Sequence, residues 1–187
     1  DVHEIYPKPD TRTFHFGRLE KILEGEFRPG HFNGVAQVVS RLFEIVKPEK
    51  AFFGQKDYQQ LTIIRKLVEQ LNFNIEIVSC PIIREPDGLA MSSRNQLLNS
   101  DEREHAAKIS KTLFKAKELK KKMSPDKLEK WVTKTLNQDP LIEVEYFKIV
   151  STDKLKDIKS WEDNKGKIGC VAVKIGKVRL IDNLIFD

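Results

Sequence analysis

Between residues 35 and 83 the hydropathy of the chain changes period three times, and this switching restricts the fold more than any other feature. Val35, Val38, Val39, Leu42, Phe43 and Val46 fall on one helical stripe, which Pro48 ends. Ala51, Phe52 and Phe53 then form a run the length of a short buried strand, closed by Gly54. A second helical period over residues 57–72 turns Leu61, Ile64, Val68 and Leu71 inward, and a second strand-like run follows at 75–80 and continues toward Ile83. Helix, strand, helix, strand with tight connections predicts a parallel sheet with helices packed on it, since parallel neighbours must be joined by a crossover. Upstream, Pro7, Pro9, Gly17, Gly25, Pro29 and Gly30 break the text into mostly loop, with a short helix near residues 19–23.

After Pro81 the pattern changes. Asn99 with Glu102 three residues on predicts a capped helix start, and about twenty helical residues follow. Ser124 and Pro125 place a second cap and a first-turn proline ahead of Leu128, Trp131, Val132 and Leu136. Ile142, Val144 and Tyr146 alternate with Glu143 and Glu145, and the runs 168–175 and 178–181 flank a turn at Gly176-Lys177. The fold class is α/β: a parallel part followed by a smaller α+β part with an antiparallel sheet.

Composition removes several classes. With 40% apolar and 33% charged residues, the 187-residue chain can bury a real core and is not a disordered sequence. Its longest apolar stretches, such as 181–186, are broken by Asp182 and Asn183, far from the roughly 20 apolar residues needed to cross a bilayer, so no membrane role is expected. The net charge of +5 identifies no nucleic-acid surface, and Lys115, Lys117, Lys120, Lys121 and Lys122 read as the solvated face of a helix. Cys80 and Cys170 lie in apolar runs without a Cys-x-x-Cys partner, which argues against a disulfide framework or a cysteine zinc site and for a cytoplasmic home. Asp1 is neither an initiator Met nor the head of a charged-then-apolar leader, so the chain reads as a piece of a longer protein.

Three constellations carry chemistry. Gly54-Gln55-Lys56-Asp57-Tyr58-Gln59-Gln60 sits where a strand ends and a helix begins, the place where open parallel sheets collect ligands and helix N–H groups face an anion. Gly54 lets the backbone approach a ligand, Lys56 adds an ammonium, and Asp57 and Gln60 share one face of the first helical turn. The same letters also fit an ordinary helix start with a solvated lysine. In 87–95, Asp-Gly-Leu-Ala-Met-Ser-Ser-Arg-Asn, two adjacent hydroxyls and a guanidinium on a Gly-opened loop suit phosphate oxygens, and they also fit a turn with capping serines. Arg28 and His31 stand ahead of the first strong helix, able to orient a site or to serve as a plain helix entry. His3, His15 and His105 have no metal-ligand spacing, and neither a His-Glu-x-x-His helix nor a Gly-x-Ser-x-Gly elbow occurs.

Runs 24–35 (Glu-Gly-Glu-Phe-Arg-Pro-Gly-His-Phe-Asn-Gly-Val), 52–61 (Phe-Phe-Gly-Gln-Lys-Asp-Tyr-Gln-Gln-Leu) and 84–95 (Arg-Glu-Pro-Asp-Gly-Leu-Ala-Met-Ser-Ser-Arg-Asn) closely resemble the pantothenate synthetase, or pantoate–β-alanine ligase, family. The likeness continues through Arg179-Leu180-Ile181-Asp182-Asn183. The resemblance implies part of a Rossmann-like nucleotidyltransferase sheet. Residues 1–82 would be the C-terminal part of the nucleotide-binding domain, and 83–187 a smaller C-terminal lid domain. It also implies ATP-dependent condensation of pantoate with β-alanine through pantoyl adenylate, toward a coenzyme A precursor.

Carried over by position, Lys56, Ser92, Ser93 and Arg94 would be catalytic and phosphate-binding. Gly54, Gln55, Asp57, Ile83 and Met91 would complete the ATP site, Gln60 would hold pantoate, and Arg28 and His31 would support the site. Mg²⁺ is expected as the escort of ATP, with no residue assigned as its ligand, and a homodimer is expected. The family's N-terminal Met-x-x-Leu-His-x-Gly-His type segment does not occur in these residues, so the resemblance implies a fragment of low activity on its own.

Two competing readings stand beside this one. The first is a class I tRNA-synthetase-like fragment that would use the lysine-rich helix on RNA. The second is a non-catalytic binding module, against which intact Lys56, Gln60, Ser92, Ser93 and Arg94 speak. The ligase reading requires the loops near residues 56 and 93 to form one cationic cradle.

Overall fold

In the computed structural model, which describes residues 1–163 and 166–186, the chain separates into two units, Asp1–Cys80 and Pro81–Asp187. Each has its own hydrophobic core.

The first unit contains the expected crossover. Helices α1 (Val2–Ile5), α2 (Glu24–Phe27) and α3 (His31–Val46) precede β1 (Lys50–Gly54), α4 (Tyr58–Gln70) and β2 (Glu76–Cys80). β1 and β2 pair in parallel, from Lys50 opposite Glu76 to Gly54 opposite Cys80. The core joins Phe14, Phe16, Phe32, Ala36, Phe43, Ile63, Ile64 and Leu67, with Phe43 meeting Phe53 and Phe73 edge to face.

The first unit differs from the sequence expectations at several places. The helix near 19–23 is instead a 3₁₀ turn (Gly17–Glu20) followed by α2, and α1 was not foreseen; a capping box of Asp1 and Glu4 stabilises it. β2 ends at Cys80 rather than reaching toward Ile83. The α3 stripe faces inward only in part: Val38, Leu42 and Val46 are 48%, 44% and 66% exposed, while Phe32, Ala36, Ser40 and Phe43 are buried. β1 is covered on one face, because its alternate residues Ala51 and Phe53 pack on the core and leave Phe52 67% exposed.

The second unit packs α5 (Ser100–Leu119) and α6 (Pro125–Leu136) against β3 (Ile142–Ser151), β4 (Lys167–Ile175) and β5 (Val178–Ile185), an antiparallel sheet of order β3-β4-β5. The Asn99 and Glu102 capping box is present. Gly176, at φ 55°, turns β4 into β5, and Ile175 pairs with Val178 across it. One further correction concerns the lysine-rich helix. Lys117, Lys121 and Lys122 are exposed, but Lys120 donates to the Phe186 carbonyl and lies 5.4 Å over the Trp161 ring. Its ammonium is held because the end of α5 lies beside the end of β5. Among the described residues no helix is long and apolar enough to cross a membrane.

Candidate functional site

The first unit presents its candidate residues at the carboxyl end of β1. The chain leaves Gly54, makes one 3₁₀ turn over Gln55–Asp57 and enters α4 at Tyr58, so the unpaired N–H groups of a 13-residue helix face the strand end. Asp57 stands at the cap position and is exposed, yet its side chain makes no capping hydrogen bond. A plain capping role therefore does not account for it. At Gly54 an added Cβ would meet no atom within 4 Å, and φ is −67°. Neither the backbone conformation nor the packing at this position demands glycine. Lys56 and Gln60 are half-buried beside this opening.

Gln59, which the sequence reading did not single out, turns the other way and is only 4% exposed. Its Nε2 donates to the carbonyls of Leu19 and Ile22, both at 2.7 Å, and its Oε1 accepts from the Glu24 amide at 2.9 Å. The segment it holds leads into Arg28 and His31. It includes Leu23 in a strained backbone conformation (φ 48°, ψ −121°) and Gly25, where a Cβ would collide with the Glu20 carbonyl. Arg28 Nη1 donates to His31 Nε2 at 3.1 Å, which places these two candidates together at the mouth of α3. Gly30, left-handed at φ 79°, occupies the cap position, and His31 is the first helical residue rather than the cap.

In the second unit, residues 83–91 form a small hairpin. Arg84 and Ala90 make an antiparallel bridge, Glu85 N–H donates to the Leu89 carbonyl at 2.8 Å, and Met91 N–H donates to the Ile83 carbonyl at 2.9 Å. Directly opposed residues share a face and neighbours alternate. Arg84 and Ala90 share one face, with Ala90 3% exposed, and Ile83 and Met91 stand opposite each other at 64% and 50%; Leu89, nearer the tip, departs from the alternation and is 2% exposed. The tip is built by Gly88 at φ 94°, packed against the Ser110 hydroxyl, and by Asp87, which accepts from the Leu89 amide and pairs with Arg103. The Arg103 guanidinium holds the Asp87 carboxyl below its ordinary range against the opposing effect of burial.

Ser92 begins the 3₁₀ turn Ser93–Leu97, its Oγ accepting from the Arg94 amide at 3.2 Å, so this serine does cap, while Ser93 and Arg94 are exposed. Asn95 is 8% exposed and donates to Glu85 Oε1 and the Ala90 carbonyl, tying the serine turn to the hairpin. Met91, Ser92 and Ser93 line a cleft of about 630 Å³ with Glu85, Asn95 and Arg103. Glu85, Asn95 and Arg103 were not picked out as site residues. Glu85 and Asn95 lie within a quoted motif, whereas Arg103 reaches the hairpin only through the start of α5.

Each unit thus gathers a set. Gly54, Gln55, Lys56, Asp57 and Gln60 share the strand end, and Arg28 is paired to His31; in the second unit Ile83 meets Met91, which leads into Ser92, Ser93 and Arg94, and of these Met91, Ser92 and Ser93 line the cleft while Ile83 and Arg94 do not. The first set offers N–H groups and a cation to an anion. The second offers an apolar face adjoining hydroxyls and a guanidinium, the polarity sequence of a nucleotide with its phosphates. Among the described residues no three His, Cys, Asp or Glu side chains group as metal ligands. A Mg²⁺ ion at such a site would be held through phosphate oxygens and water, as that hard cation commonly is.

The chain is similar to known proteins over nearly its whole length. A family model described as pantoate-beta-alanine ligase matches residues 1–185. Curated pantothenate synthetases of Bacteroides thetaiotaomicron and Phocaeicola vulgatus are 50% and 52% identical over 98% of the chain. The chain spans 65% of the length of each of these relatives. The crystal structure of pantothenate synthetase from Thermus thermophilus is similar at 40% identity and a TM-score of 0.91, covering 98% of this chain and 67% of that one. A pantoate-beta-alanine ligase from Francisella tularensis, complexed with Beta-gamma ATP and Beta-alanine, is similar at 32% identity and a TM-score of 0.75, covering 98% and 62%.

Proposed function

Since the chain belongs to the pantoate–β-alanine ligase family, we propose that it carries the ATP-dependent joining of pantoate to β-alanine. A carboxylate oxygen of pantoate attacks the α-phosphorus, the bond to the bridging oxygen breaks, and pyrophosphate leaves with that electron pair. The amine of β-alanine then attacks the acyl carbon of pantoyl adenylate, AMP departs and the nitrogen loses a proton.

Negative charge grows on the phosphoryl and pyrophosphate oxygens in the first step. Preorganised cations and N–H donors stabilise that charge more than they stabilise bound ATP. Lys56, Ser92, Ser93 and Arg94 are assigned to these oxygens. Gln55, Asp57 and the open backbone of Gly54 are assigned to the nucleotide, Ile83 and Met91 to the adenine side, Gln60 to pantoate, and the Arg28–His31 pair to support.

The observation that carries this reading is the hairpin, whose outward apolar pair, Ile83 and Met91, runs directly into Ser92, Ser93 and Arg94. The complex of the Francisella relative supports ATP and β-alanine as substrates. On the same reading residues 1–82 belong to a nucleotide-binding domain and 83–187 to a lid. Mg²⁺ accompanies ATP, and the protein works as a cytoplasmic homodimer. A tRNA-synthetase-like reading is not favoured, because the ligase family model runs over residues 1–185.

The test is AMP and pantothenate formation from ATP, pantoate and β-alanine by the full-length protein, together with pyrophosphate exchange. Exchange that depends on pantoate supports the proposal, and exchange that ignores pantoate refutes it. Lys56→Ala is expected to reduce kcat/KM for ATP by about 100-fold or more, while the exposed Lys121→Ala leaves it unchanged. Equal effects would remove Lys56 from its assigned role.

A further inference from the structure

We propose that Arg84 is a positioning residue for the nucleotide-handling loop: its two-pronged ion pair with Asp182 on β5 locks the inner face of the 83–91 hairpin, and so holds Ile83, Met91 and the Ser92–Arg94 turn in their outward arrangement. The inference rests on the ligase reading for its ligand and on the geometry for its mechanism.

Arg84 Nη1 donates to Asp182 Oδ2 at 2.6 Å and Nη2 to Oδ1 at 3.0 Å. The same guanidinium reaches the Gly88 carbonyl at 3.0 Å and the Asn183 carbonyl at 3.4 Å, and lies 5.1 Å over the Phe114 ring. One side chain therefore connects the base of the hairpin, its tip, β5 and α5. The Asp182 side chain is 2% exposed and that of Arg84 18%, so the pair is shielded from water.

The planar fork of arginine is needed for this pattern. A lysine ammonium carries the charge but lacks the paired, coplanar donors. Leu89, 2% exposed in the main core of this unit, already fastens the hairpin by apolar burial. Apolar burial near the tip is non-directional and leaves the rotation of the hairpin base unset, whereas two parallel hydrogen bonds to a fixed carboxylate set it. A shielded ion pair is also a poor device for stability alone, since apolar pairs of like volume often serve as well or better. The orientation reaches the serine turn through Asn95, which donates both to Glu85 and to the Ala90 carbonyl opposite Arg84.

The test uses the full-length protein with Arg84→Lys and with the paired change Arg84→Met/Asp182→Leu, which removes both charges and leaves neither buried alone. Amide hydrogen exchange, melting temperature and KM for ATP and for pantoate are measured on each. In both proteins exchange at the Leu89, Met91 and Arg94 amides is expected to accelerate about tenfold or more, with exchange in Asp1–Cys80 unchanged. KM for ATP is expected to rise about 10- to 100-fold while KM for pantoate stays within about twofold.

The paired variant is expected to recover the melting temperature without recovering ATP use. The proposal is overturned if exchange in the hairpin is unchanged, or if ATP use returns together with the melting temperature. If the unaltered protein forms no pantothenate, the ligase reading fails, and the exchange experiment by itself then upholds or overturns the locking role of Arg84.

Discussion

Gln59 and Gln60 are neighbours on one helix, yet helical geometry sends them in different directions and into different work. The buried Gln59 amide satisfies Leu19, Ile22 and Glu24 of a strained segment. Gln59→Leu removes all three partners at once and is expected to cost about 2–4 kcal/mol in urea unfolding. Gln60→Ala is expected to leave the unfolding midpoint unchanged and to raise KM for pantoate. Gly54 gives a sharper separation of fold from function. A Cβ there meets nothing within 4 Å, so Gly54→Ala should melt at the original temperature while using ATP about tenfold less well, because the methyl group occupies the ligand's approach. A fall in melting temperature with unchanged ATP use would show that glycine serves the fold. Spacing alone does not distinguish the roles of the two glutamines, since the partners of Gln59 lie 35 to 40 residues earlier in the chain.

Elements with local signals were legible from the sequence to within a residue or two. α5 begins where Asn99 and Glu102 cap it reciprocally, and α6 begins at Pro125 as expected, although the expected Ser124 side-chain cap is not made and that hydroxyl donates to Asp126 instead. Asn99→Ala is expected to lower stability by about 0.5–2 kcal/mol, measured by thermal or urea unfolding. The hairpin at 83–91 carries no local strand signal. It has only a single bridge, and its order comes from Arg84, Leu89 and Asn95 reaching partners elsewhere in the unit. The inner face of α3 is not fixed by its sequence for a related reason. Apolar residues cover more of its circumference than the core of this unit requires, and period alone does not say which arc is buried.

Acid stability belongs to the scale of the whole second unit, where Asp139 joins α5 to the start of β3. Its side chain is 4% exposed, and it accepts from His105 Nδ1 at 2.7 Å, Lys108 Nζ at 2.5 Å and the Leu141 amide at 3.0 Å. Burial raises the carboxyl's pKa, but these hydrogen bonds outweigh it and bring it from 3.8 to about 2. A carboxyl depressed in the folded state contributes stability that is complete above its unfolded pKa and is lost as pH falls through the folded value. Urea unfolding should therefore show about 1–2 kcal/mol disappearing between pH 4 and pH 2, allowing for the half-exposed Lys108. In Asp139→Asn that acid-dependent loss should be flattened; an unaltered pH profile would remove Asp139 as its source.

Local pattern carries the order of the longer helices and strands, the parallel crossover and the antiparallel sheet, because periodicity, caps and glycine or proline punctuation act over a few residues. Packing alone brings Gln59 to the carbonyls of Leu19 and Ile22, Lys120 to the Phe186 carbonyl and Arg84 to Asp182. Each of those outcomes depends on a partner tens of residues away whose position is set by packing, and no local pattern encodes it.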